Sequence, residues 1–397
     1  MADPVLMRSG LAATRAADAV TVGTITLDSY TRVGDWSAAA DALHSGAALN
    51  GYPIVTHSAS TTRWVLDQVA DPAIFPVQVR HGSARPEAII DALIAAGLTA
   101  TEGGPVSYCL PYGRVPLVDA VQSWKRTCEK LASLRDGGVE PHLETFGGCL
   151  MGQLCPPSVL LAIAVLEGMF FAQNGIGSVS LSYAQQTNHH QDAEAVRALH
   201  RLMARFLPGL DVHVVLYAYM GVYPRTAAGA ALLLSRAAEL AAETGVARLI
   251  VKTSAEAHRI PSIEENVRAL ELAANIARAT TGSSDPDRDT GAYEEATALI
   301  EAVLELDDDL GTALIAAFRR GYLDVPFCLH PDNAGRSRSR LEADGRLTWS
   351  RLGSMPLDPA CAPPGPADLS STELLRSLTY VERSHDEAAL EDHFASR

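Results

Sequence analysis

The sequence predicts an α/β protein built on a (β/α)8 barrel, and two observations lead to that prediction. Between about residue 20 and residue 280, short runs rich in β-branched residues alternate with longer, amphipathic runs rich in Ala and Leu. This alternation is typical of a parallel sheet covered by helices. Eight strand–helix units can be counted, which fits a closed parallel barrel, and an open doubly wound sheet is the alternative.

The predicted elements follow one another regularly along the chain. The strands are residues 22–27, 52–56, 77–80, 98–101, 139–145, 178–183, 212–217 and 248–253. The helices are residues 36–45, 61–69, 86–96, 117–134, 158–172, 193–206, 227–243 and 263–280. Pro86, and the pair Pro156-Pro157 before Ser158, suit the first turn of a helix, where a backbone N–H has no partner to lose.

The alternation ends near residue 281, where GSSDPDRDTG has the composition of a linker. We therefore predict a barrel domain over residues 1–284 and a helical and irregular extension over residues 285–397. Within the extension, residues 293–319 predict one or two helices, whereas PFCLHPDNAG and APPGPAD have no periodicity. The final EAALEDHFASR is either a short surface helix or disordered.

The composition excludes several classes of function. The net charge of −15, from 47 acidic and 32 basic residues, disfavours binding to nucleic acid or to an anionic membrane surface. The amino terminus lacks the basic and apolar regions of a signal peptide, and no apolar window reaches membrane-spanning length, so we expect a soluble, cytoplasmic protein. The six cysteines are irregularly spaced without a C-x-x-C pair, which predicts reduced thiols.

Polar side chains end most of the predicted strands, which is where barrel enzymes place their reacting groups. At these ends lie Thr26, Arg32, His57, Arg80, His81, Glu102, Glu144, Phe146, Tyr183, Gln185, Tyr217, Tyr219, Met220, Lys252 and Glu256, and most of these residues are polar or charged. The segment TEGGPVSYCLPYGR gathers Glu102, Tyr108, Tyr112 and Arg114 at a Gly-Gly-Pro turn. Arginine forks such as Arg8, Arg32 and Arg80 suit a dicarboxylate or a phosphate.

Other chemistries find less support in the residues. The first strand, TITLDSYTR, lacks the H-x-H that metal-dependent barrel hydrolases carry, so we predict no protein-bound catalytic metal. No G-x-S-x-G nucleophile elbow is present. A Schiff base on Lys252, with Glu256 as proton carrier, stays open from the residues alone.

The motifs LMRSG, TLDSYTR, LNGYP, VQVRHG, TEGGPVSYCLPY, ETFGG, MGVYP, LIVKTSAE and DVPF occur in this order. Together they resemble the large (epsilon) subunit of adenosylcobalamin-dependent glutamate mutase, also called methylaspartate mutase. The resemblance implies an isomerase that interconverts L-glutamate and 3-methylaspartate by a radical mechanism. It also implies a barrel covered by cobalamin on a separate small subunit, in a heterotetramer with two copies of this chain. A related mutase acting on another amino or oxo acid in a biosynthetic pathway is the alternative.

The resemblance also assigns roles to individual residues. Glu102, Arg80 and Tyr108 would be the catalytic residues, with Glu102 accepting the substrate ammonium. The substrate would be bound by Arg8, Arg32, Arg80, Thr26, Gln78, His81, Glu102, Tyr108 and Tyr112. The adenosylcobalamin would be contacted by Gly10, Asn50, Lys252 and Glu256 at its deoxyadenosyl group, and by Pro111, Phe146 and Met220 at the corrin.

Two loops and one missing motif depart from the family pattern. FGGCLMGQLCPP is one residue longer after the fifth predicted strand, and SYAQQTNHH replaces a Gly-Tyr-Gly-Glu-like turn after the sixth. A D-x-H-x-x-G cobalamin-ligating motif is absent from the sequence. The resemblance therefore implies that the small subunit supplies the lower ligand of the cobalt.

Overall fold

The computed structural model describes residues 1–111, 113–150, 154–281, 290–362 and 369–395. In this part of the chain, seven parallel strands form one sheet in chain order. They are β1 Gly23–Thr26, β2 Val77–Arg80, β3 Ala100–Gly103, β4 His142–Thr145, β5 Ser178–Ala184, β6 Asp211–Tyr217 and β7 Arg248–Ile250. The α/β class with a parallel sheet is confirmed. The doubly wound alternative is excluded, because its strand order reverses within the sheet.

Helices follow the strands and pack on the outside of the sheet. They are α1 Pro4–Ala16, α2 Ser29–Val33, α3 Trp36–Ser45, α4 Ala59–Leu66, α5 Glu87–Ala95, α6 Leu117–Ala132, α7 Pro157–Gln173, α8 His189–Phe206, α9 Ala227–Thr244 and α10 Ile263–Ala279. All eight predicted helices are confirmed to within a few residues. Helix α1 was not predicted, although Asp3 caps it by accepting a hydrogen bond from the Leu6 N–H and Pro4 begins it.

The predicted strand over residues 52–56 is wrong. Only Tyr52 pairs with β1, through a single parallel bridge to Leu27. Pro53 has no N–H to continue the pairing, and its carbonyl instead accepts hydrogen bonds from the N–H groups of Thr56 and His57, which forms a turn. The segment still packs tightly against Leu27, the residue that follows β1. This close approach is shown by Gly51, where an added Cβ would lie 2.4 Å from the Leu27 carbonyl carbon.

We expect Gly51→Ala to destabilise the fold by about 1–3 kcal/mol, because the new methyl group would overlap backbone that cannot move away alone. Urea unfolding of the two proteins measures the difference. Gly137→Ala is the matched control, since a Cβ there has nothing within 4 Å. Equal stability of Gly51→Ala and the parent chain would contradict the close approach of the two segments.

The sheet is curled around a polar interior. Arg248 at the start of β7 donates from Nη1 to Gln78 Oε1 on β2 at 3.2 Å, and from Nη2 to Glu144 on β4. Among the described strands, β1 and β7 are the sheet edges. Residues of β1, β7, α1 and α10 line a cavity of about 270 Å³ at these edges. An eighth strand that closes the sheet is not part of this pairing.

The carboxy-terminal part of the chain covers the outer sides of α7 and α9. It contains α11 Ala292–Leu304, α12 Leu310–Arg320, the hairpin of β8 Arg338–Leu341 and β9 Leu347–Arg351, and helices α13 Ser371–Leu378 and α14 Tyr380–Ala395. Helix α7 is apolar on nearly all sides. It is also buried on nearly all sides, because α11 and α12 cover the face that points away from the sheet. The proposed boundary at residue 284 falls among residues 282–289, outside the described residues.

Predictions for the carboxy-terminal part were mixed. The two helices expected over residues 293–319 are confirmed as α11 and α12. The hairpin and α13 were missed, and the helix considered for EAALEDHFASR begins earlier, as α14 of 16 residues. In the described part of the chain, no helix combines the length and the apolar character that crossing a bilayer requires.

Candidate active site

Four side chains meet inside the curled sheet, near the carboxyl ends of the strands. Glu102 on β3 accepts hydrogen bonds at Oε1 from Arg80 Nε at 2.7 Å and from the Tyr108 hydroxyl at 2.5 Å. Its Oε2 lies 2.8 Å from the Tyr217 hydroxyl. Arg80 Nη2 also donates to that hydroxyl at 3.1 Å. One carboxylate is thus surrounded by three donors from three different parts of the chain.

The end of β3 depends on glycine to bring these groups together. Glu102 lies within β3 rather than on a loop, and Gly103 follows it with φ of +139°. A Cβ at Gly103 would lie 2.5 Å from both the Trp124 ring and the Tyr108 ring. The sharp turn that returns Tyr108 to Glu102 therefore requires a residue without a side chain.

Because Arg80 and Glu102 lie in a buried environment, the charge of each side chain depends on the charge of the other. The Glu102 side chain is 0% exposed and that of Arg80 is 26% exposed. Burial opposes the charge on Arg80, but attraction to Glu102, and next to Tyr217 and Tyr108, holds its pKa well above the usual value. Removing one member of such a pair leaves the other charge buried without its partner, which is strongly destabilising.

Tyr217 links this carboxylate to a second one. Burial, followed by the charges of Glu102 and Glu144, raises the pKa of Tyr217 well above its usual range, so its hydroxyl keeps its proton. The hydroxyl lies within hydrogen-bond distance of both Glu102 and Glu144. Since a phenol has one hydrogen to donate, it serves only one of the two carboxylates at a time.

A polar layer lies beneath Glu144. Glu144 Oε2 accepts from Arg248 and, at 3.2 Å, from Ser180. His142 contacts Ser180 at 3.0 Å and stacks on His213 at 5.2 Å. Burial, and then the neighbouring His213 and Arg248, lower the pKa of His142 to about 3, so this histidine is neutral. Two buried carboxylates are therefore balanced by two arginines.

We expect Tyr217→Phe to lower the free energy of unfolding by about 1–3 kcal/mol, because Glu102 and Glu144 lose a buried donor. Thermal and urea unfolding at neutral pH measure the loss. Tyr30→Phe is the control, since Tyr30 is an exposed tyrosine. If the two variants have the same stability, the hydroxyl does not link the carboxylates.

His81 follows Arg80 in the chain and Gln78 lies two residues before it, while Arg32 lies near the turn after β2, since a Cβ at Gly82 would be 3.7 Å from Arg32 Cδ. Arg32 donates from Nε to the Leu27 carbonyl at 2.9 Å. His81 is buried and stacks on Trp124 at 5.7 Å. Burial, and then the charge of Arg32, lower the pKa of His81 to about 3. Gln78 is also buried and accepts from Arg248. His81 thus adjoins the site through the Tyr108 ring at 5.1 Å, and Gln78 adjoins it through Arg248, whereas the hydrogen bond of Arg32 is to the Leu27 carbonyl.

Arg8 makes its contacts elsewhere. It lies on α1, with its guanidinium 4.7 Å from the Trp64 ring centroid and Nη1 donating to the Trp64 carbonyl at 2.8 Å. The structure therefore brings Arg80, Glu102 and Tyr108 together and holds Arg8 against α4.

The residues assigned to the deoxyadenosyl group lie at the open edge of the sheet and in nearby loops. Gly10 and Thr26 line the 270 Å³ cavity together with Arg80. A Cβ at Gly10 would lie 2.6 Å from Met1 Cε, so the glycine makes room for the Met1 side chain, which also lines the cavity. Lys252 and Glu256 form an ion pair after β7. Asn50 accepts a hydrogen bond from the Ser29 N–H at 2.9 Å.

The residues assigned to the corrin differ in exposure. Phe146 is buried between Tyr108, at 5.2 Å between ring centroids, and Tyr217, at 5.5 Å. Met220 is half-buried and Pro111 is exposed. Tyr112 lies outside the described residues.

Three residues of the site had been given no role from the sequence. Glu144 and Tyr217 were recognised at strand ends. Like Glu102, they occupy strand positions whose side chains point into the sheet interior, and this shared position could have assigned them to the site. Arg248 begins β7 at the other end of the strand, so the strand-end criterion could not find it. In the described part of the chain, no group of three or more His, Cys, Asp or Glu side chains is arranged to hold a metal ion.

Comparison with known proteins identifies the family. Residues 6–363 match the family model described as Methylaspartate mutase E chain (MutE). The glutamate mutase epsilon subunit of Halobacterium salinarum is 33% identical over 346 residues, which cover 84% of this chain and 72% of that protein. The corresponding subunit of Desulfitobacterium hafniense is 32% identical over 349 residues, with 83% and 71% covered. The chain therefore belongs to the methylaspartate mutase E chain family.

Proposed function

We propose that this chain is the catalytic subunit of an adenosylcobalamin-dependent isomerase that interconverts L-glutamate and 3-methylaspartate. One observation carries the proposal: Arg80, Glu102 and Tyr108 form a buried constellation at the strand ends of a chain in this family. The related proteins from Halobacterium and Desulfitobacterium are named glutamate mutase epsilon subunits.

The charges of the site suit an amino dicarboxylate. Arg80 offers a planar fork that binds a carboxylate through two parallel hydrogen bonds, and its side chain is partly exposed. Glu102 offers a carboxylate for the substrate ammonium, with Tyr108 beside it. When substrate enters, Arg80 exchanges Glu102 for a substrate carboxylate and Glu102 takes the ammonium. Both buried charges stay paired throughout this exchange.

The remaining substrate contacts come from residues around this pair. Arg32 supplies a second guanidinium, and Thr26, Gln78 and His81 shape the site near it. The resemblance assigns Tyr112 to the substrate as well, although this residue lies outside the described residues. Arg8 is the third arginine of the proposed clamp, and this role requires its guanidinium to leave the Trp64 carbonyl.

The residues at the open sheet edge fit the cofactor. The cavity beside Gly10 and the polar groups of Asn50, Lys252 and Glu256 can hold the ribose and adenine of a deoxyadenosyl group. Pro111, Phe146 and Met220 are assigned to the corrin. When bound, adenosylcobalamin supplies the radical chemistry that removes and returns a substrate hydrogen. The protein orients the substrate and excludes water from the site.

The proposed partner is a small cobalamin-binding subunit that docks over the strand ends. Apolar side chains are exposed in the segments that follow the strands: Val33 at the end of α2 is 74% exposed and Ile260 after β7 is 66% exposed. We propose that these two side chains contact the partner subunit. We further propose that residues 1–284 form a barrel domain of the (β/α)8 type and that residues 285–397 form an extension. We also propose a heterotetramer with two copies of this chain and a cytoplasmic location.

The substrate is tested by measuring initial rates with the small subunit, adenosylcobalamin and a panel of amino and oxo dicarboxylic acids. We expect the highest kcat/KM for L-glutamate. Turnover of another acid without turnover of glutamate would instead select a related mutase. Borohydride trapping of a carbonyl substrate on Lys252 without cobalamin would select a Schiff-base lyase.

A further inference from the structure

A buried carboxyl group lies directly behind the turn that carries Tyr108. Glu167 is on α7 and is fully buried. Its Oε1 accepts hydrogen bonds from the backbone N–H groups of Val106 at 3.0 Å and Ser107 at 2.8 Å. Burying a carboxyl group costs free energy. Burial raises its pKa to about 7, although the hydrogen bonds from the Ser107 and Val106 N–H groups oppose the rise.

The fit between Glu167 and this turn is tight. A Cβ added at Gly104 would lie 2.0 Å from Glu167 Oε1, so the carboxyl group packs against bare backbone. Within the turn, the Tyr108 N–H donates to the Gly104 carbonyl at 3.2 Å and the Leu110 N–H to the Val106 carbonyl at 3.0 Å. Glu167 thus fixes the backbone one and two residues before Tyr108.

The position of Tyr108 is in turn coupled to Glu102 and Phe146. Its hydroxyl lies 2.5 Å from Glu102 Oε1 and its ring 5.2 Å from the Phe146 ring. Helix α7 follows β4, which leads directly into Phe146. A carboxyl group on α7 therefore ties the turn after β3 to the neighbouring strand–helix unit.

We propose that Glu167 is a positioning residue of the substrate site, which holds the turn so that the Tyr108 hydroxyl stays against Glu102. The role rests on the proposed function and involves no contact between Glu167 and the substrate. A displacement of about 1 Å in such a group can cost on the order of a hundredfold in rate. The carboxyl group thus acts at a distance, through the backbone of Val106 and Ser107.

The test is a double-mutant cycle between Glu167→Met and Tyr108→Phe in the chain reconstituted with its small subunit and adenosylcobalamin. Methionine has a similar size and lacks the acceptor oxygens. We expect Glu167→Met to lower kcat about tenfold or more. In the Tyr108→Phe background, the same change is expected to cost less than about twofold, because interacting residues are not additive.

Two further variants and one control complete the design. Glu167→Gln keeps an acceptor oxygen and is expected to restore kcat to within about threefold of the parent chain. Gly104→Ala pushes against the carboxyl group and is expected to resemble Glu167→Met. Asp324→Ala is the control: Asp324 is also buried and accepts from the Gly335, Arg336 and Ser337 N–H groups. It is expected to lower Tm and leave kcat within about twofold, because it lies in another loop.

Additive losses in the double mutant, or normal turnover of Glu167→Met, would overturn the positioning role. The parent chain is assayed in parallel, so a failure of the proposed function appears as an absence of methylaspartate with the parent itself. In that case, the Tm values of the parent chain, Glu167→Met, Tyr108→Phe and the double mutant still test the positioning role of Glu167. Positioning predicts a combined Tm loss smaller than the sum of the single losses, and a simple sum contradicts it.

Discussion

Replacing Glu102 with glutamine is expected to lower turnover of L-glutamate about a hundredfold or more, which corresponds to at least about 2.7 kcal/mol. Glutamine keeps the shape of the side chain and loses its charge. It provides no anionic partner for the substrate ammonium, and Arg80 keeps a buried charge without its carboxylate. Initial rates with the small subunit, adenosylcobalamin and L-glutamate measure the loss.

The control for this change is Glu87→Gln. Glu87 pairs with Arg126 on the protein surface, where exposed ion pairs contribute little. Turnover of this control is expected to stay near that of the parent chain. If Glu102→Gln turns over L-glutamate at the rate of the parent chain, Glu102 has no role in catalysis.

Replacing Arg80 with lysine is expected to lower kcat/KM for L-glutamate at least about tenfold. Lysine keeps the positive charge, but a single ammonium cannot reproduce the fork that contacts Glu102 through Nε and Tyr217 through Nη2. Steady-state kinetics separate the loss into KM and kcat, and calorimetry gives the glutamate affinity without turnover.

The exposed Arg126 provides a matched arginine-to-lysine control. Its guanidinium pairs with Glu87 and is 60% exposed. Arg126→Lys is expected to leave kcat/KM unchanged. A near-normal Arg80→Lys enzyme would count against a carboxylate clamp at this position.

Most of the fold could be predicted because the periodicity of apolar residues within each segment agrees with the alternation of strands and helices along the chain. The helices were found from apolar periodicity, and the parallel order followed from the regular alternation with strands. The segment at Tyr52 misled the prediction, because its β-branched and aromatic residues resemble a strand while Pro53 ends the pairing after one bridge. The hairpin could have been found from Asp344-Gly345, a typical hairpin turn between two alternating segments.

The candidate site was less accessible to sequence reasoning. The strand-end criterion located Arg80 and Glu102, and it found Glu144 and Tyr217 without giving them a role. Arg248 and Glu167 escaped it, because one begins a strand and the other lies within a helix. Their contacts depend on the curl of the sheet and on the packing of α7, which a single sequence does not encode locally. The Trp64 contact of Arg8 is of the same kind.

The most direct measurement follows carbon-13-labelled L-glutamate by NMR in a mixture of the purified chain, its small cobalamin-binding subunit and adenosylcobalamin. We expect labelled 3-methylaspartate to appear with the parent chain, and to form at least about a hundredfold more slowly with Glu102→Gln. Unchanged glutamate in the complete mixture, or equal product formation by the Glu102→Gln chain, would contradict it.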